Sequence, residues 1–285
     1  MVVALLFSFM LMSTRPTAAY YQGFTHAVYT ESVVGTWCPY CVAEIPMIDE
    51  SSRTYAGSLH RVEFHVALPG RDDPYSTEYG LNKITEYHIT GTPTHAHDAG
   101  FLVQSGAANF TTNVENSGRR PVHRVTLAVM KRVQVGVLSF EGSIKEEDGK
   151  PFNGKIVVIA VENGLPSTHG IQALTWNGVF REYLLTRDVT LASSQHSIFS
   201  GTWTIPKEVN VANVELIVVA FDSADLGQAG GALAVQSVSD KDSGVVVPEF
   251  NIIGGVAAVA MAASLVFLRD RRSRLSATRS VHTTN

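Results

Sequence analysis

An α/β N-terminal half, an all-β sandwich after it, a leader at one end and a membrane-crossing helix at the other form the architecture that this sequence predicts. Three observations predict it. Strand and helix patterns alternate around a Cys-x-x-Cys up to about residue 131. Short β-branched runs separated by Asp148-Gly149, Asn163-Gly164 and Asn177-Gly178 follow. Uncharged apolar segments lie near both termini.

The leader is the apolar run Val2 to Met12 followed by the small residues Thr17-Ala18-Ala19, which places a cleavage site just before Tyr20. At the other end Ile252 to Leu268 carries no charge, and Arg269, Arg271, Arg272 and Arg274 follow it. Basic residues favour the cytoplasmic side, so the bulk of the chain is expected outside the membrane. The expected division is 1–19 leader, 20–131 α/β domain, 132–244 sandwich, 245–268 anchor and 269–285 basic tail. With 285 residues, 45% of them hydrophobic, the chain can bury two cores. A net charge of -4 without a basic stripe argues against nucleic acid as a partner.

Within the first half, Ala27 to Val34 reads as a strand and Ala43 to Asp49 as a helix that Pro46 should kink. Alternation of Val62, Phe64, Val66 and Leu68 marks a second strand, and Pro69 to Pro74 a polar loop. Ser76 to Tyr87 reads as a helix ending before Gly91-Thr92-Pro93. Strands near His95 and Leu102 flank a turn at Asp98-Ala99-Gly100. A last helix is expected over Val122 to Lys131.

Cys38 and Cys41 are the only cysteines. A disulfide between them closes too small a loop to restrict the unfolded chain much, which favours redox exchange or metal binding over a structural staple. Cys38, at the start of a helix, gains from unpaired N–H groups and the dipole, so it is the expected nucleophile, and Cys41, one turn on, the resolving thiol.

Three motifs carry a resemblance. Trp37-Cys38-Pro39-Tyr40-Cys41 resembles the thioredoxin active-site turn, Cys41 to Glu50 the helix after it, and Tyr87 to Thr94 the segment around that family's cis-proline. The resemblance to the thioredoxin-like superfamily implies that Pro93 is cis, that Thr92 offers backbone bonds to a substrate and that Trp37 packs beside the site. It implies a thiol-disulfide oxidoreductase without cofactor or metal, acting on protein thiols and disulfides and reloaded by a redox partner. Asn177 to Asp188 and Leu216 to Asp222 are similar to the sandwich half of surface proteins named for an outer-membrane protein. Pro248-Glu249-Phe250 before the apolar run resembles an archaeal sorting signal.

Two other functions stay open. One is a surface adhesion or envelope-binding protein with idle cysteines. The other is a metal chaperone using Cys38, Cys41 and a histidine such as His95, because His95 and His97 share a strand face. For these histidines an exposed strand edge and redox tuning are the competing readings. Trp176 and Trp203 are expected in the sandwich core.

Overall fold

The computed structural model describes residues 20–167, 174–227 and 229–242, all of which belong to one compact unit spanning residues 1–245. The expected leader, the sorting motif, the C-terminal apolar segment and the basic tail lie outside the described residues.

The first half begins β1 (Val28–Val34), α1 (Pro39–Thr54), β2 (Leu59–His65), α2 (Glu78–Glu86), β3 (Thr94–His97), β4 (Leu102–Ser105) and α3 (Phe110–Gly118). Pro39 at the first turn starts α1 without a lost hydrogen bond, since that N–H would have no partner in the helix. Pro46 lies inside the same helix. Thr77 caps α2 through its hydroxyl to Gly80 N. A Cβ on Gly80 would come within 2.3 Å of the His65 carbonyl oxygen, so glycine is what lets α2 cross β2 this closely.

Strands then dominate: β5 (Val125–Gln134), β6 (Val137–Glu146), β7 (Phe152–Glu162), the short β8 (Leu165–Pro166) and β9 (Thr175–Trp176), β10 (Val179–Leu191), β11 (His196–Thr204), β12 (Val214–Leu226) and β13 (Ala232–Ser239). Eight of them form one sheet in the order β13-β12-β7-β10-β2-β1-β3-β4. The join is at Val179, which pairs in parallel with Glu63 of β2. β11, β6 and β5 form a three-stranded sheet.

The apolar run in β7 explains why both faces of the large sheet are covered. Ile156, Val158 and Ala160 pack with Leu127, Val129, Phe140 and Phe199 of the three-stranded sheet. Their neighbours Val157, Ile159 and Val161 point the other way and join Val62, Phe64 and Phe180.

This architecture corrects the predicted fold class. An α/β thioredoxin-like domain plus a separate sandwich is not what forms. Strands make up 47% of the described residues and helices 17%, so the fold is β-rich. The physical reason is edge pairing: β2 would be an open edge in a free-standing first half, and β10 from the second half covers it. The helix expected over Val122 to Lys131 is instead β5, whose Val125, Leu127 and Val129 alternate inward. Among the described residues no helix is long and apolar enough to cross a bilayer; the segment expected to do so lies outside them.

One buried carboxylate ties the second half together. Burial opposes ionisation of Glu146, but N–H groups of Ser194 (2.6 Å) and Asp148 (2.5 Å), with His123 at 3.0 Å, outweigh it and hold its pKa at about 2. A folded pKa below the unfolded one stabilises above the unfolded value and is lost as pH falls through the folded one. Glu146→Gln should therefore lower the melting temperature most above pH 4.5, the gap closing as pH falls toward about 2. A gap independent of pH would contradict this assignment.

Candidate functional site

The site is built where α1 begins. Cys38 is the N-cap of α1, with extended backbone (φ -90, ψ 110), and its N–H donates to Gly35 O at 3.0 Å. Its Sγ accepts from the Cys41 N–H at 3.2 Å, which is the role that serine or aspartate oxygen plays at other helix starts. The thiol form can also donate to the Thr92 carbonyl oxygen at 3.4 Å. The Thr92–Pro93 peptide bond is cis. In this structure the two cysteines are free thiols.

Electrostatics separate the two sulfurs. A hydrogen bond from the Cys41 thiol, with smaller help from Thr92 and the backbone N–H groups of Cys41 and Tyr40, outweighs burial and lowers the Cys38 pKa to about 6. Burial pushes the Cys41 thiol up, and the neighbouring Cys38 adds to the rise. Near neutral pH the pair is thus one thiolate beside one thiol.

Cys38 is only 2% exposed, but it lines an open groove with a volume of about 620 Å³. The rest of the lining is mainly apolar, with Trp37, Tyr40, Leu68, Ile84 and Ile89 prominent, and Thr92 stands beside the sulfur. The Trp37 Nε1–H donates to Val66 O at 2.8 Å, which orients the indole. Arg71 lies over that indole, 4.8 Å from the ring centroid. Of the residues expected at the site, Cys38, Trp37 and Thr92 share this groove, Cys41 lies behind Cys38, and Pro93 is buried next to Thr92.

Several residues lie elsewhere than their sequence context suggests. Trp176 packs against the cysteine cluster with Val34 and Ile45 instead of filling the sandwich, while Trp203 is half-buried beside the sandwich core. His95 and His97 are fully buried, not on an exposed strand edge. His95 Nδ1 lies 2.8 Å from Ser32 Oγ and its Nε2 3.1 Å from the Glu44 carboxylate, and His97 Nδ1 lies 2.9 Å from Thr30 Oγ1. Burial, helped by His95, lowers the His97 pKa to about 3, so it is neutral at physiological pH. Among the described residues no three Cys, His, Asp or Glu side chains converge as a metal-ligand set, which gives the metal-chaperone alternative no support.

Comparison with solved structures places the fold. The crystal structure of protein AGR_C_4864 from Agrobacterium tumefaciens matches 79% of this chain and 99% of its own length, at TM-score 0.50 and 13% identity. A CARDB domain of the PF1109 protein from Pyrococcus furiosus, in complex with di-metal ions, matches 41% of this chain and 84% of its own at TM-score 0.25 and 14% identity. Spo0M, a sporulation control protein from Bacillus subtilis, matches 42% and 48% at TM-score 0.28 and 12% identity. No family model and no curated protein matches the chain.

These findings correct the family resemblance. The described residues are mostly strand with few helices, and strands of both halves share the eight-stranded sheet, so no thioredoxin-like fold is indicated. The short motifs around Cys38 and Pro93 are real features of the chain, but they sit in a β-rich fold whose eight-stranded sheet takes strands from both halves. Assignment to the thioredoxin-like superfamily, and with it the surface-protein and sorting-signal resemblances, is not carried further.

Proposed function

We propose that this chain is a thiol-dependent binding protein that takes an apolar polypeptide segment into the groove beside Cys38 and engages a cysteine of that segment by disulfide exchange. The single observation that carries the reading is the pairing of a thiolate, Cys38, with a buried protonated thiol, Cys41, at the floor of an apolar groove.

The exchange proceeds in two balanced steps. The Cys38 thiolate attacks one sulfur of the partner's disulfide. That S–S bond breaks, the Cys38 mixed disulfide forms, and the leaving sulfur departs with the electron pair and takes a proton from water. Cys41 then loses its proton and attacks Cys38 Sγ, closing the Cys38–Cys41 disulfide and releasing the partner's second thiolate. Two electrons pass from the chain to the partner. Because burial holds Cys41 as a thiol, release of the partner waits on its deprotonation. Trp37, Ile84 and Ile89 offer a site for a large apolar side chain near the reacting cysteine. Export of the chain belongs to the same proposal and rests on the leader in its sequence.

A second reading is favoured by the strand-dominated architecture: a non-catalytic surface β-protein in which the cysteines are idle. Equilibration of the full chain with glutathione buffers, read by thiol alkylation, separates the two. A reduction potential between about -120 and -270 mV is expected for an exchanging pair. A value below about -300 mV marks a resistant bond and supports the second reading.

A further inference from the structure

We infer that His65 and Asp73 form a positioning pair that holds the Gly35–Trp37 segment, and through it Cys38, in the geometry that exchanges disulfides. The inference rests on the exchange reading given above. Asp73 comes from the loop that follows β2, yet it is 6% exposed and both its oxygens are engaged. Its Oδ2 accepts the Thr36 N–H at 2.7 Å, and its Oδ1 accepts the Tyr75 N–H at 2.8 Å. Behind it, His65 Nδ1 reaches the same Oδ2 at 3.0 Å. Thr36 is next to Gly35, whose carbonyl accepts the Cys38 N–H. A rigid hydrogen-bonded path therefore runs from the His65 ring to the backbone that places the nucleophile.

A buried imidazole and carboxylate are costly to desolvate, and a turn of this kind could be satisfied by water at an exposed site. The structure instead walls the pair in. The His65 ring lies edge-on to Trp176 (4.8 Å) and Tyr75 (5.3 Å), and Trp176 packs in the same cluster as Cys38 and Cys41. The titratable and charged groups facing it are Asp73 and Tyr75 from the loop and Glu63 from its own strand, 3.9 Å from Nε2. Arg61 stands behind Glu63 and Arg181 over Tyr75, whereas Gly80 of α2 brings no charge. Burial opposes a charged His65, but Asp73 and Glu63 outweigh it and raise its pKa above the ordinary 6.5. The imidazolium is thus present below that raised value and lost as pH rises through it.

The test compares His65→Phe, which keeps ring packing and loses the bond to Asp73, with His65→Asn, whose amide can still donate to Asp73. Exchange of the reduced full-length chain with oxidised glutathione is followed against pH. In His65→Phe the Cys38 pKa should rise by about one unit and exchange near pH 6 should slow about fivefold, since the ionised fraction there falls from about one half to about one tenth. His65→Asn should stay within about twofold of the unmodified chain at that pH, yet lose the second inflection expected above pH 6.5. A His65→Phe variant with the unmodified chain's pKa and rate overturns the positioning role. If that variant does not fold, the Thr36 amide resonance of the unmodified reduced chain decides: it should titrate together with the His65 ring, and an amide that ignores that titration overturns the inference. Absence of exchange in the unmodified chain at every pH is a different result, and it defeats the exchange reading itself.

Discussion

Cys41→Ser should accumulate a covalent adduct with oxidised glutathione, and Cys38→Ser should form none. The asymmetry follows from the two sulfurs' surroundings. Cys38 is the helix N-cap, its sulfur faces the groove, and hydrogen bonds hold it as a thiolate down to about pH 6. Cys41 is fully buried, and burial keeps its proton on. Replacing the second thiol removes the group that releases the partner, so the mixed disulfide persists. Replacing the first leaves a buried thiol with little thiolate, and alkylation near pH 7 should slow by more than about a hundredfold. Mass spectrometry of the two variants checks both statements. Equal adduct formation by both would mean that the helix start does not govern reactivity.

The second large effect concerns the sheet. Phe180 of β10 is 1% exposed, stacks on Phe64 of β2 with ring centroids 4.9 Å apart, and also meets Tyr79 and Tyr183. It sits at the seam where the C-terminal strands join β2. Phe180→Ala should cost about 3–5 kcal/mol, the usual cost of emptying a large buried aromatic site. The loss should appear in one transition, with Cys41 labelling and far-UV circular dichroism changing at the same denaturant concentration. Two separated transitions, with Cys41 exposed well before the strands melt, would restore a picture of independent halves.

The same seam shows how far the sequence could be read. Alternation in Val62 and Phe64 and the apolar run Ile156 to Val161 identified buried strands, and β1, α1, α2 and the β3–β4 hairpin fall close to their expected places. What pairs with what was not legible. The register of Val179 against Glu63 joins residues far apart in the chain, and no local pattern encodes it. The stretch expected as the last helix of the first half is a strand because Val125, Leu127 and Val129 follow a period of two, which buries one face of β5.

At the site, Cys38 and Cys41 were legible from spacing and from the helix start. Asp73 was not, because a carboxylate in a run of polar loop residues gives no sign that it turns inward to bind Thr36. His95 and His97 misled for the same reason. Their alternation put them on one face, but only the tertiary structure shows that this face is covered, by Glu44 of α1 and by Phe110 of α3.

The central claim is that Cys38 is a thiolate near neutral pH while Cys41 is not. The most direct measurement is the rate of iodoacetamide alkylation at each cysteine of the reduced full-length chain across pH, read by peptide mass spectrometry. The account predicts that Cys38 labelling rises through an inflection near pH 6 and levels off above it, with Cys41 scarcely labelled. A Cys38 rate that keeps climbing to an inflection near 8.5, the ordinary range of a free thiol, or labelling of Cys41 ahead of Cys38, would contradict it.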